Sequence, residues 1–295
     1  MSDFQHIVVY GGGTMGQGIA ELLSKKGFEV TVIEKTRALA NQARHHIELS
    51  LNKQLSKWGI TQAEKKIILS RIDFTNEDTV LERADLVIET VTEDLQEKKK
   101  VFDRCDRFCP MDAILSSNTS TLSLTELAAV TRRPQRVIGL HFLHPITRLD
   151  LVEVVRGLKT EEETVRRIRQ FLEKLHLTAI EVHESPGFVT TRLIVILINE
   201  ALYTLMEGVA TPEDIDTAMI RGYQFPYGPL EMADRFGLDS VLASMERLFR
   251  EYGDPKFRPA PLLKKMVWAG QLGVKTGEGF FRYDEDGDRL REDVR

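Results

Sequence analysis

The first half of the chain alternates short β-branched runs with longer amphipathic stretches. Residues 7–10, 30–33, 86–88, 114–115 and 137–140 are aliphatic runs of strand type, and the segments between them carry apolar residues at helical spacing. Helices are predicted over 14–26, with Gly27 placed to end it, and over 36–58, rich in Ala, Gln and Lys. This order predicts βαβ units and a doubly wound α/β domain on a mainly parallel sheet.

The pattern changes at Ser185-Pro186-Gly187. Strand runs stop there, and apolar residues recur at helical spacing from 188 to 206. Thr211-Pro212-Glu213-Asp214 reads as an N-cap with Pro at the first helical position, and 261–269 as another helix. The expected organisation is 1–185 as the α/β domain and 186–295 as an all-helical domain. Leu193, Ile194, Leu197 and Ile198 fit packing within the helical domain or against a second subunit, and periodicity does not separate the two. From Asp284 onward the chain is charged and lacks core residues, which predicts a solvated tail.

Composition narrows the partners. The 295 residues include no apolar run near the roughly 20 needed to cross a bilayer, so no membrane partner is expected. A formal charge of −5 leaves no basic field of the kind nucleic acid recruits. Residues 1–9 lack the basic and apolar stretches of a secretory signal, and a cytoplasmic location is expected. The two cysteines, Cys105 and Cys109, fall in a predicted helix without further Cys or His at ligand spacing, and are expected to be reduced structural thiols.

Candidate chemistry begins directly after the first strand. Gly11-Gly12-Gly13-Thr14-Met15-Gly16 matches G-x-G-x-x-G and opens the first helix. Absent side chains at Gly11 and Gly13 allow a tight turn and close backbone approach to a pyrophosphate, and Gly16 allows helix and strand to pack closely. The phosphates then meet the N-terminus of the helix at Thr14 and Met15. Glu34 follows the second strand at roughly the 20-residue distance where a carboxylate accepts hydrogen bonds from the adenosine ribose. It would repel a 2′-phosphate, which favours NAD over NADP. The fingerprint alone leaves FAD, and a glycine turn without a ligand, as alternatives.

Further segments occur in a familiar order: Ala84-Asp85-Leu86-Val87-Ile88-Glu89, Ser116-Ser117-Asn118-Thr119-Ser120, Gly139-Leu140-His141-Phe142, Leu151-Val152-Glu153-Val154-Val155 and Ser185-Pro186-Gly187-Phe188. Glu213 to Met219, Gly228-Pro229-Leu230-Glu231 and Lys275 to Phe280 continue it. Over nearly its whole length the chain resembles the L-3-hydroxyacyl-CoA (3-hydroxybutyryl-CoA) dehydrogenases. The resemblance implies a Rossmann-type domain followed by a helical substrate and dimerisation domain, NAD as cofactor, and a homodimer. It also implies oxidation of the 3-hydroxyl of an acyl thioester, with His141 as acid/base and Glu153 as its partner. His141 falls at the C-terminal end of a predicted strand, the edge where doubly wound sheets bind ligands, and an imidazole is suited to take a hydroxyl proton. The alternative for His141 alone is a hydrogen-bonded core histidine.

By the same resemblance Ser120 hydrogen-bonds the reacting oxygen; its alternative is a cap for a helix near 124–129. Glu93, Lys98, Asn118 and Lys275 match positions that contact the nicotinamide half of NAD, whereas Glu93 and Lys98 also read as a solvated pair at a helix start. Departures cluster around the acyl group. Where the family has Phe-Phe-Asn-Pro, this chain has Phe142-Leu143-His144-Pro145, followed by Arg148; a second substrate-side asparagine is replaced by Thr191. Both replacements keep a hydrogen-bonding group, and Arg148 adds a cation suited to a polar acyl group or to Asp150. Lys53 and Lys57 lie on one face of a shortened helical hairpin, as a phosphate clamp or as a solvated face. The trimmed clamp leaves open a thioester carried by acyl carrier protein, as in polyketide extender-unit synthesis. A non-catalytic NAD-binding homologue is a third reading, which the joint presence of His141, Glu153 and Ser120 opposes.

Overall fold

Aliphatic runs become strands wherever a sheet face is covered on both sides. The computed structural model describes residues 4–146 and 149–290. Among these, eight strands form one sheet in the order β3-β2-β1-β4-β5-β6-β7-β8. They are β1 (Ile7–Tyr10), β2 (Val30–Ile33), β3 (Ile72–Thr75), β4 (Leu86–Glu89), β5 (Ile114–Ser117), β6 (Val137–Phe142), β7 (Leu151–Arg156) and β8 (Thr178–His183). Strands β1 to β6 pair in parallel, β7 runs antiparallel to β6, and β8 is parallel to β7. The central strands β1, β4, β5 and β6 are buried along their whole length, hence their unbroken apolar runs. The sequence pattern missed β3 and β8 because both are edge strands whose polar residues face solvent.

Among the described residues six α-helices accompany this sheet: α1 (Thr14–Lys25), α2 (Arg37–Ser56), α3 (Gln62–Ser70), α4 (Leu95–Phe108), α5 (Leu124–Ala128) and α6 (Glu162–Lys174). The helix predicted over 36–58 is shorter at both ends. Thr36 stands outside it as N-cap, its hydroxyl accepting from the Leu39 N–H at 3.2 Å, and Trp58 turns the chain with φ 58°. Thr61 and Glu64 then open α3 with a reciprocal capping box.

Contacts divide the chain at Ser185 and Pro186 into two units. The second holds α7 (Thr190–Met206), α8 (Pro212–Tyr223), α9 (Pro229–Phe236), α10 (Leu238–Tyr252) and α11 (Pro261–Trp268). Helix α7 begins later than its apolar spacing suggests because Gly187 and Phe188 both take left-handed φ values, 78° and 47°. Of its apolar residues, Ile198 joins the core of the second unit while Leu193 is 65% exposed. The segment expected to be solvated from Asp284 is exposed or half-buried up to Leu290, but it is held to the helical unit. Tyr283 bridges Arg289, the Leu290 N–H donates to the Arg282 carbonyl, and the Arg289 guanidinium sits over the Phe281 ring. Among the described residues no helix is long and apolar enough to cross a membrane.

Two buried carboxylates tie the helical unit together. Asp216 accepts from the Leu230 and Glu231 N–H groups and so caps α9, and Asp234 accepts from Phe280 N, Phe281 N and the Tyr283 hydroxyl. Burial pushes both carboxyls up to about 6. A folded value above the unfolded one stabilises at acid pH, and that contribution is lost as pH rises through the folded value. Between about pH 5 and about pH 8, the wild type should lose on the order of 1 kcal/mol relative to Asp234→Asn. Denaturant unfolding of both proteins at the two pH values measures this; a constant gap would refute it.

Candidate active site

The C-terminal ends of β1, β4, β5 and β6 lie side by side, at the edge and switch point where doubly wound sheets bind ligands. The turn after β1 depends on absent side chains. Gly11 has φ 112°, and a Cβ there would come within 2.9 Å of the Thr90 backbone after β4. A Cβ on Gly16 would lie 1.9 Å from the Gly11 carbonyl oxygen, so the start of α1 packs directly onto the turn. Gly13 is different: nothing lies within 4 Å of its Cβ position. It is the N-cap of α1, offers no side chain to the first-turn N–H groups, and leads into exposed Thr14 and half-buried Met15. Open space over unsatisfied N–H groups at a helix N-terminus fits a pyrophosphate.

Glu34, one residue past β2, accepts from the Gly12 N–H at 2.6 Å and from the Lys35 N–H at 3.1 Å. This fixes a carboxylate beside the glycine turn, in the position suited to ribose hydroxyls. Thr90 closes the other side, its hydroxyl donating to the Gly11 carbonyl at 2.6 Å.

His141 and Glu153 are directly opposed across the antiparallel β6–β7 pair. Cross-strand partners share a sheet face, and here the His141 Nδ1 lies 2.6 Å from the Glu153 carboxylate. Both are buried, His141 at 7% and Glu153 at 0% exposure. The carboxylate assigns the ring proton to Nδ1, leaving Nε2 as the basic nitrogen. One residue on, the Phe142 N–H donates to Asn118 Oδ1 at 2.8 Å, which ties the end of β6 to the end of β5.

The solvated-pair reading of Glu93 and Lys98 is overturned. Lys98 is 1% exposed, 2.7 Å from Glu89 and 3.3 Å from Glu93. Glu93 Oε1 in turn accepts from the Thr119 hydroxyl and from Ser120 N at 3.1 Å. Glu89 is the residue that the sequence reading left unassigned. Burial pushes its carboxyl up, opposed by Lys98, the Ser117 hydroxyl and the Val91 N–H. Its signal was a lone acid closing an aliphatic strand, a position that demands a buried cation. The capping alternative for Ser120 also fails, because Ser123 caps α5 by accepting from Glu126 N at 3.1 Å. The Ser120 hydroxyl makes no hydrogen bond among the described residues.

The remaining candidates are spread more widely. His144 borders a cleft of about 190 Å³ that it shares with Thr14, Gln17, His46 and Ser50. Protein packed against its ring pushes the imidazole below the usual histidine range, so at neutral pH it offers a hydrogen-bonding group without charge. Lys53 in the last turn of α2 and Lys57 at its C-cap are exposed. Thr191 lies in the first turn of α7, and Lys275 pairs with Asp239 beside Gly237; both belong to the second unit. Arg148 lies outside the described residues.

Comparisons with known proteins point one way. The model of the 3-hydroxyacyl-CoA dehydrogenase NAD binding domain matches residues 6–185, and that of the C-terminal domain matches 187–283. A probable 3-hydroxybutyryl-CoA dehydrogenase of Bacillus subtilis is 44% identical over 96% of this chain and 99% of its own. The crystal structure of M. tuberculosis FadB2 superposes with a TM-score of 0.93 at 40% identity, over 95% of this chain and 99% of that one. The crystal structure of (S)-3-hydroxybutyryl-CoA dehydrogenase PaaH1 from Ralstonia eutropha gives 0.88 at 40% identity, over 96% and 100%. The chain belongs to the 3-hydroxyacyl-CoA dehydrogenase family.

Proposed function

We propose that this protein oxidises the 3-hydroxyl of an L-3-hydroxyacyl-CoA to the 3-oxoacyl-CoA with NAD. The observation that carries the reading is the buried His141–Glu153 pair at the strand edge that also holds the glycine turn. NAD, when bound, supplies the hydride acceptor at its nicotinamide ring. The rest of the chemistry falls to side chains of the chain itself. His141 Nε2 takes the proton of the 3-hydroxyl as the C3–O bond gains double-bond character. Glu153 stabilises the resulting imidazolium and holds the ring in the productive tautomer. The Ser120 hydroxyl donates to the same substrate oxygen, and Asn118, through Phe142 N, keeps the strand that carries His141 in register.

Glu93, Lys98, Asn118 and Lys275 are retained as positions on the nicotinamide side. His144 and Thr191, with Lys53, Lys57 and Arg148, are retained as positions toward the thioester. A CoA thioester is the better-supported substrate, because the Bacillus and Ralstonia relatives are named for 3-hydroxybutyryl-CoA. The carrier-protein reading has no comparable support. The family resemblance also leads us to expect a cytoplasmic homodimer assembled through the helical unit; light scattering that gives one chain per particle would remove the dimer from the account.

Steady-state assays with NAD or NADP, and with 3-hydroxybutyryl as its CoA or carrier-protein thioester, test the substrate choice. NAD is expected to be preferred by about tenfold or more, because Glu34 opposes a second negative charge at the ribose. The CoA ester is expected to be the faster substrate. Equal use of NADP, or turnover confined to the carrier-bound ester, would contradict the proposal.

A further inference from the structure

Glu89 has no part in the reaction just described, yet it is among the most enclosed charges in the molecule. It ends β4 after three aliphatic residues and is 1% exposed. An ion so placed is costly unless paired and fully hydrogen-bonded. Its Oε1 accepts from Lys98 Nζ at 2.7 Å and from Val91 N at 2.6 Å, and its Oε2 accepts from the Ser117 hydroxyl at 2.6 Å. Its backbone carbonyl accepts from Asn118 N at 2.8 Å.

Each of these partners leads to a group placed in the proposed site. Lys98 passes from Glu89 to Glu93, and Glu93 holds the backbone of Ser120 and Thr121. Ser117 and Asn118 fix the end of β5, and Asn118 fixes the residue after His141. We infer that Glu89 is a positioning residue: its buried carboxylate sets Lys98, and through Lys98 and Glu93 the loop that presents the Ser120 hydroxyl to the substrate oxygen. The inference rests on the proposed reaction for its kinetic consequence, but not for its structural one. Removing the Glu89 charge leaves Lys98 with the Val91 carbonyl and the Glu93 carboxylate. Glu93 then leaves the geometry in which it holds the N–H groups of Ser120 and Thr121.

Two measurements on the full-length protein test this. In the first, amide hydrogen exchange at Ser120 and Thr121 is compared between wild type, Glu89→Gln and the control Lys100→Gln, which alters an exposed residue of α4, the helix that carries Lys98. Exchange is expected to speed up about tenfold in Glu89→Gln and to stay at the wild-type rate in the control. Unchanged exchange in Glu89→Gln overturns the inference whether or not the enzyme is active. The second is a double-mutant cycle with Ser120→Ala. Glu89→Gln is expected to lower kcat about tenfold with KM changed less than about twofold. In the Ser120→Ala background it should lower kcat less than about twofold, since no hydroxyl remains to be positioned. A loss of equal size in both backgrounds marks Glu89 as a fold staple only and overturns the inference. Wild-type protein that is inactive on acyl-CoA, with faster exchange in Glu89→Gln, would count against the proposed reaction and leave the positioning role supported. If Glu89→Gln fails to fold, Glu89→Asp keeps the charge but draws the carboxylate back from Lys98 Nζ, and should reproduce the pattern at about threefold.

Discussion

Replacing His141 with alanine is expected to lower turnover of 3-hydroxybutyryl-CoA by about 100-fold or more, while the protein still folds and binds NAD. The expectation follows from where the residue sits. His141 is at the end of β6, and its Nδ1 is committed to Glu153 at 2.6 Å, so the ring acts through Nε2. Without it no imidazole paired to a buried carboxylate remains on this strand. The glycine turn and Glu34 lie at β1 and β2, which the substitution leaves untouched. Steady-state kinetics with a separate NAD titration would check both halves. Turnover within a few-fold of wild type would refute the acid/base role, whereas joint loss of turnover and NAD binding would indicate a collapsed domain.

Glu153→Gln should cost a similar factor, about 100-fold, although the side chain barely changes in size. Glu153 is fully buried and directly opposite His141 in the strand register. A neutral amide at this point does two kinds of damage. It removes the negative charge that stabilises the imidazolium, and an N–H turned toward Nδ1 would favour the tautomer whose proton sits on Nε2. At 0% exposure Glu153 has no solvent beside it to compensate. Because the two residues act as one unit, adding Glu153→Gln to His141→Ala should cost little more than His141→Ala alone. Multiplying losses in the double variant would show that Glu153 works independently of the histidine.

How far the sequence carried this picture varies by element. The central strands were legible because full burial turns them into aliphatic runs, and the glycine turn was legible because each glycine answers a backbone requirement, φ 112° at Gly11 and contact with a carbonyl at Gly16. The His141–Glu153 pair depended on the resemblance, since only the antiparallel turn of β7 brings residues twelve positions apart face to face. Edge strands β3 and β8 were hidden by their polar faces. In the sequence Lys98 resembles a surface charge, because a lysine near a helix start usually is one. Its burial follows from Glu89, whose own burial becomes visible only when β4 is seen to be flanked on both sides. The charge-rich segment after Asp284 is solvated, as its composition suggests, but composition does not register that Arg289 packs through its guanidinium over Phe281.

The central claim is that this protein oxidises a 3-hydroxyacyl-CoA with NAD. Its most direct test is the absorbance of NADH formed when purified protein is mixed with NAD and L-3-hydroxybutyryl-CoA. The account predicts steady NADH formation by the wild type, and a rate lower by about 100-fold or more for His141→Ala under the same conditions. NADH formation at equal rates by both proteins, or none by wild type that demonstrably binds NAD, would contradict it.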